Sequence, residues 1–260
     1  MSVLTLARRT GLVLGLPGVL FAVWWFATAG STDFYIPPLS TVLGKFGEVW
    51  TGERLMSDVV PSLVRLLTGY LLAVAVGVGL GLVVGMHRRV RDVLEPVLEL
   101  FRAIPPPVLV PVIMLFAGIG DTMKVIVIVS GCMWPILLNT VEGVRAVDEV
   151  LSDTCRSYGI TGPSRLWHLV LRSASPQIVT GMRQALSIAI ILMVISEMFA
   201  ASNGLGFAIV QFQRSFAIPE MWSGVLLLGL LGFALSLLFR VAENRVLAWY
   251  HGLRRAQRNP

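Results

Sequence analysis

Lysine is almost missing from this 260-residue chain: Lys45 and Lys124 are its two lysines, and charged residues together make up 14% of it. Soluble domains carry about 25% charge, so this composition cannot clothe an ordinary water-exposed surface. Cysteine is equally scarce. Cys132 falls in an apolar run and Cys155 in a polar stretch, which gives neither a disulfide framework nor metal-ligand spacing. The three histidines, His87, His168 and His251, are far apart and sit at the edges of apolar runs, as interfacial residues do. There is no G-x-x-x-x-G-K-[ST] loop, no H-E-x-x-H and no G-x-S-x-G. Phosphate cradling of that kind and two hydrolytic chemistries are thereby excluded. No catalytic residues and no metal site are expected.

What the chain does have is hydrocarbon. Hydrophobic residues reach 55% and the mean hydropathy is +0.78. A bilayer core of about 30 Å takes roughly 20 apolar residues per helical crossing, and six runs qualify, at about 11–30, 62–86, 95–118, 122–140, 183–202 and 221–242. The expected class is an all-α polytopic membrane protein of about six transmembrane helices, with the first run retained as an anchor. The net charge of +6 has a membrane explanation rather than a nucleic-acid one. Arg8 and Arg9, Arg88, Arg89 and Arg91, then Arg145, Arg156, Arg165, Arg172 and Arg183, and finally Arg240, Arg245, Arg254, Arg255 and Arg258 fall on one side. Lys45, Arg54 and Arg214 fall on the other. The positive-inside rule puts both termini and the 141–182 segment in the cytoplasm.

Three features have local meaning. After Pro37-Pro38, with Ser40 as a possible cap, Leu39, Val42, Leu43, Phe46, Val49 and Trp50 recur at helical spacing and predict a short amphipathic helix on the outer surface. Gly69, Ala73, Gly77, Gly81 and Gly85 repeat every fourth residue, the pattern that lets two helices approach backbone to backbone. Pro96, Pro105, Pro106, Pro107 and Pro111 crowd the third run, predicting a broken or kinked helix beside protein or a wet cavity. Ionisable residues at membrane depth are expensive. Glu197 is the deepest; it either lines a translocation path or ties the fifth span to a neighbour. Arg102 and Lys124 lie nearer span ends, where snorkelling explains them, although either could favour an anion. Arg102, Pro105, Lys124 and Glu197 are the translocation-path candidates.

The most informative stretch is Asp153–Pro176, DTCRSYGITGPSRLWHLVLRSASP, a polar, arginine-bearing segment between apolar spans. It reads as two short helices about a turn. Asp153 through Tyr158 form the first, Gly159 and Gly162 permit the reversal, and Pro163 suits the first turn of a second helix running to Leu171. Such an element on one side of a bilayer offers a helix to a partner's groove.

These residues resemble the EAA loop of ABC importer permeases, whose pattern is E-A-A, three residues, G, and later I-x-L-P. Asp153, Thr154 and Cys155 stand at the E-A-A positions and Gly159 at the glycine. The triplet is degenerate, and Arg172 replaces the proline of L-P, while Ser175-Pro176 keeps a later one. SLVRLLTGY, LEPVLELFRAIPPPVLVPVIMLFAGIGDTMKV, ILLNTVEGVRAV and SEMFAASNGLG are similar to the nitrate/sulfonate/taurine-type permeases, over roughly residues 35–250. The resemblance implies a MetI-like type I ABC importer permease fold, one transmembrane permease domain over 1–260 with its core at about 60–245 and its coupling loop at about 145–176. It implies a bacterial inner-membrane location and a non-catalytic subunit binding no cofactor itself, ATP and Mg being held by partner ATPases. It further implies two ATPase subunits on the loops, a second permease copy or paralogue, and an extracytoplasmic solute-binding protein, with lipid around them and no nucleic acid. Docking would fall to Asp153, Thr154, Cys155 and Gly159, with apolar contact from Tyr158, Leu166, Leu169 and Val170, and Arg156 and Arg165 meeting acidic partners. The cargo implied is a small polar or anionic solute such as a sulfonate, nitrate or taurine. A stand-alone carrier or channel, and less so an intramembrane enzyme, are the alternatives. No internal repeat supports the first, and no second catalytic residue at membrane depth supports the other.

Overall fold

The computed structural model of the chain describes residues 3–199, 201–250 and 252; the side chains of residues 3–14, 17, 95 and 102 lie outside that description. Among the described residues all regular structure is helical. The elements are α1 (Val3–Thr28), α2 (Leu39–Trp50), a π turn Leu55–Val59 running into α3 (Val60–Met86), α4 (Arg88–Arg102), a 3-10 turn Pro106–Val108, and α5 (Leu109–Ala117). Then come α6 (Asp121–Arg145), α7 (Glu149–Ser157), α8 (Gly162–Arg165) with a π turn Leu166–Val170, α9 (Leu171–Phe199), α10 (Leu205–Arg214) and α11 (Ile218–Val246). Among the described residues, four continuous helices are long and apolar enough to cross a membrane: Leu55–Met86, Asp121–Arg145, Gly162–Phe199 and Ile218–Val246.

The core is the stack α3–α6–α9. Lipid offers no hydrophobic drive for two helices to meet, so close packing must supply it. The glycine ladder of α3 does this against α6. A Cβ at Gly69 would stand 2.8 Å from Ile128 Cβ, one at Gly77 2.9 Å from Ile136 Cβ, one at Gly81 2.6 Å from Thr140 Cβ, and one at Gly85 2.8 Å from Val144 Cβ. Ladder and counter-ladder share the four-residue step, so every contact repeats once per turn. Gly131 of α6 in turn receives Leu192 of α9 and Pro106.

The third expected span is broken, as its prolines predict. Its first half is α4, an amphipathic helix that packs Val90, Leu94 and Leu98 on Val84, Leu137 and Val141. Three consecutive prolines then remove three backbone donors and force the preceding residues out of helix, leaving Pro105 extended (φ −63°, ψ 122°). The nine residues of α5 rise only about 13 Å. The fifth span also differs from expectation. It begins at Gly162 rather than near 183, so Arg183 lies within a 38-residue helix and pairs with Glu243 of α11.

The expected amphipathic helix after Pro37-Pro38 is α2, with Leu39, Val42 and Trp50 buried. Ser40 does not cap it: Pro38 precedes it without a side-chain cap bond. Trp50 Nε1 donates to Ser223 Oγ of α11 at 2.9 Å, and Trp24 of α1 packs on Trp222 with ring centres 5.6 Å apart.

Gly77→Val should overpack the α3–α6 seam by about 1–3 kcal/mol and lower the thermal midpoint in detergent. Gly79→Val on the same helix meets nothing within 4 Å among the described residues and should leave the midpoint unchanged or raise it. Equal midpoints for the two variants would contradict the seam.

Candidate functional site

Two sites lie at opposite ends of the α3–α6–α9 stack. The first is the polar segment joining α6 to α9. Asp148 caps α7, its Oδ1 accepting from Leu151 N at 2.9 Å, and Glu149 sits in the first turn where the helix dipole favours it. The helix ends in a Schellman motif. Ile160 N donates to Cys155 O at 2.8 Å and Gly159 N to Arg156 O at 3.1 Å, with Gly159 left-handed at φ +69°. Gly162, at φ +58°, makes a second left-handed step as the first residue of α8, with Pro163 next in its first turn. Arg165 Nη2 donates to Ser152 Oγ at 2.9 Å, fastening α8 to α7.

The first helix of this segment therefore starts earlier than expected, at Glu149 rather than Asp153. Its second helix does not stop at Leu171, and Pro176 lies inside α9 instead of closing the stretch. Arg156 pairs with Asp153 at 3.6 Å, both exposed, a contact worth about 0–1 kcal/mol. Thr154 Oγ1 donates to Val150 O at 2.7 Å, and Cys155 is half-buried. Leu169 and Val170 are not offered to a partner. They are buried, Val170 in a cluster with Val144, Ala174 and Ile178 against which Leu166 packs. The π turn explains this, because its wider winding rotates the register and turns those two residues inward. The apolar residues left outside are Val150, Leu151, Tyr158, Ile160 and Trp167, with Tyr158 80% exposed.

The second site is a charged cluster at the opposite end, formed where α3, α6, α9 and the loop 201–204 meet. Glu197 is 1% exposed. Its carboxylate accepts from Ser62 Oγ at 2.8 Å, Arg65 Nη1 at 2.7 Å and Gly206 N at 3.0 Å. Arg65, 4% exposed, also donates from Nε to Asp121 Oδ1 at 2.7 Å and from Nη2 to Asn203 Oδ1 at 2.6 Å. Asp58 accepts from Gly204 N at 2.9 Å and pairs with Arg54 at 3.4 Å. Three carboxylates thus face three cations once Lys124, 3.4 Å from Asp121, is included. The buried Glu197, Arg65 and Asp58 are each paired and hydrogen-bonded, as buried charges must be to persist.

Of the two readings open for Glu197, the structure gives the tie between spans. Lys124 does not snorkel; its side chain is 4% exposed in the wall of this cluster. Pro105 is exposed at the break before α5, and the side chain of Arg102 lies outside the described residues. Arg65, Asp58, Ser62 and Asn203 escape a reading of single spans. Their signal is the spacing of Asp58, Ser62 and Arg65, which puts all three on one helix face, together with Glu197's need for a cation at equal depth. The glycines of S-N-G-L-G are then explained. A Cβ at Gly204 would lie 2.5 Å from the Glu197 carboxyl carbon, at φ +120°, and one at Gly206 would strike Val194 O.

The family model for binding-protein-dependent transport system inner membrane components matches residues 73–248. The taurine transport system permease protein of Escherichia coli is 29% identical over 252 residues, covering 94% of this chain and 92% of the relative. The bicarbonate transport system permease protein of Synechococcus elongatus is 27% identical over 260 residues, covering 93% and 89%. Among solved structures, the inward-facing MetNI methionine ABC transporter aligns with a TM-score of 0.62 at 17% identity, over 74% of this chain and 93% of that one. An amino acid ABC transporter with histidines aligns at 0.54 and 18%, over 82% and 97%. These two show the fold.

Removing one partner of the buried pair should be worse than removing both. Glu197→Met and Arg65→Met should each cost about 3–5 kcal/mol by stranding a charge, and the double variant less than either alone. Thermal midpoints of the three variants in one detergent test this; additive losses would mean the pair is not coupled.

Proposed function

The chain belongs to the inner membrane components of binding-protein-dependent transport systems, and on that premise we propose that its α7–α8 hook is where force from a separate ATPase enters. The protein is a multi-pass permease subunit of an ABC importer. Two ATPase subunits, which hold ATP and Mg, dock on the hooks of two permease copies or paralogues. A solute-binding protein delivers a small polar or anionic solute at the other face, and the chain itself has no catalytic role. Taurine and bicarbonate are the cargoes of the relatives named above, and a solute of that class is assigned here. The arginine asymmetry supports an inner-membrane orientation with both termini and the hook cytoplasmic.

One observation carries the proposal. The hook is continuous with α9: the helix that opens at Gly162 ends at Phe199, beside the charged cluster. A helix of 38 residues is about 57 Å long, so a displacement at the hook reaches the far end without crossing a loop. Val150, Leu151, Tyr158, Ile160 and Trp167 provide an apolar face for a groove. Asp153, Thr154, Cys155, Arg156 and Arg165 frame that face. Leu166, Leu169 and Val170 act from within, seating the hook on the bundle.

Gly159 tests the coupling. Its side has open space among the described residues, so a substitution acts through the left-handed backbone alone, at about 1–2 kcal/mol. Gly159→Val should weaken ATPase co-purification roughly tenfold and lower solute uptake in proteoliposomes to match. Gly159→Asn, which tolerates that conformation, should retain most of both. Full association and uptake with valine would overturn the docking account.

A further inference from the structure

We propose that the cavity beside Asp121 is a binding site for a monovalent oxyanion, the sulfonate or carboxylate end of a small solute, with Lys124 and Arg65 as its cations and Asp121 as the resident group the ligand displaces. The inference rests on the permease reading above and assigns it a contact point for cargo. The cavity measures about 320 Å³ and is walled by Arg65, Asp121, Lys124, Ser202 and Asn203, at the small end of the range of ligand pockets, about 300–1,000 Å³.

The cations in its wall are unequally satisfied. Arg65 is spread over Asp121, Glu197 and Asn203, all within 3.2 Å. Lys124 has three N–H donors, yet among the described residues its hydrogen bond is a single long one, 3.4 Å to Asp121 Oδ1. That oxygen is already engaged by Arg65 Nε at 2.7 Å. A nearly enclosed ammonium is thus short of acceptors on the side that faces the cavity, and an oxyanion supplies them.

The carboxylates are unequal too. Glu197 is pinned by Ser62 and Gly206, and Asp58 by Gly204 and Arg54. Neither can swing into the cavity. Asp121 can: its side chain is 69% exposed while both cations it touches are 4% exposed. When it moves out, Arg65 and Lys124 remain against Glu197 alone, which leaves one net positive charge. A single negative charge is what that balance accepts. Arg65 keeps Glu197 and Asn203 on its two terminal nitrogens and has Nε released by Asp121, while Lys124 supplies the remaining donors.

The test uses the purified permease–ATPase complex in phosphatidylcholine nanodiscs, whose lipid carries no net charge. Thermal stabilisation is followed against ethanesulfonate concentration, since a ligand bound to the native state raises the midpoint by mass action. Asp121→Asn removes the competitor and should tighten ethanesulfonate about tenfold, Lys124→Gln should weaken it about tenfold, and Lys124→Arg should hold it near wild type, on the scale of charge-assisted contacts. Sulfate, a dianion, should bind more weakly than ethanesulfonate. Absence of stabilisation, equal affinities across the variants, weaker binding in Asp121→Asn, or tighter binding of sulfate would each overturn the site. Copurification of the ATPase in the same preparations is scored separately: an assembled complex with no variant-dependent response removes the anion site and leaves the permease assignment standing.

Discussion

Backbone-to-backbone contact between α3 and α6 is the constraint on which the rest of the molecule depends. Four glycines and Ala73 bring the helices so close that Ile128, Ile136, Thr140 and Val144 occupy the space where side chains would otherwise be. In hydrocarbon such close approach replaces the hydrophobic effect as the source of cohesion. It also fixes the axial register of the two helices, since a slip by less than one four-residue step would drive a branched side chain into a backbone. With α3 and α6 locked, α9 has a defined surface to lie on. Both candidate sites are then determined by where the helix ends fall.

The ends are built on contrasting physics. At one end, charges are buried, and a carboxylate at 1% exposure is held by a guanidinium, a hydroxyl and a backbone N–H. This ties α3 to the end of α9 and to the loop entering α10, so those parts move together. At the other end, the contacts are short-range: an Asp cap, a Schellman turn and one Arg–Ser bond. These give the hook a definite shape while leaving its apolar face uncovered. A rigid helix links the two, and this arrangement suits a subunit moved by another protein.

The broken third span fits the same scheme. The break is what sets Pro106 against Gly131 of α6. The proline run divides it into an amphipathic piece packed on Leu137 and Val141 and a short apolar piece, α5. Gly118, left-handed at φ +72°, then turns the chain into α6 and sets Asp121 at the rim of the cavity.

Much of this was legible in the residues. Hydropathy gave the helical class, the four-residue glycine step gave a close helix seam, the proline cluster gave a break, and Gly159 gave the reversal in the hook, because each is a local property with one dominant physical cause. The inward register of Leu169 and Val170 was not legible, since a π turn shifts the face of a helix without changing its composition. Nor was the fate of Lys124, whose position near a span end allowed snorkelling until α3 and the 201–204 loop were seen to enclose it. By itself the sequence determined the helical class and where the backbone must be glycine or proline. Only the tertiary structure decided which charges meet, because Arg65, Asp121 and Glu197 are separated by 56 and 132 residues and become partners through packing alone.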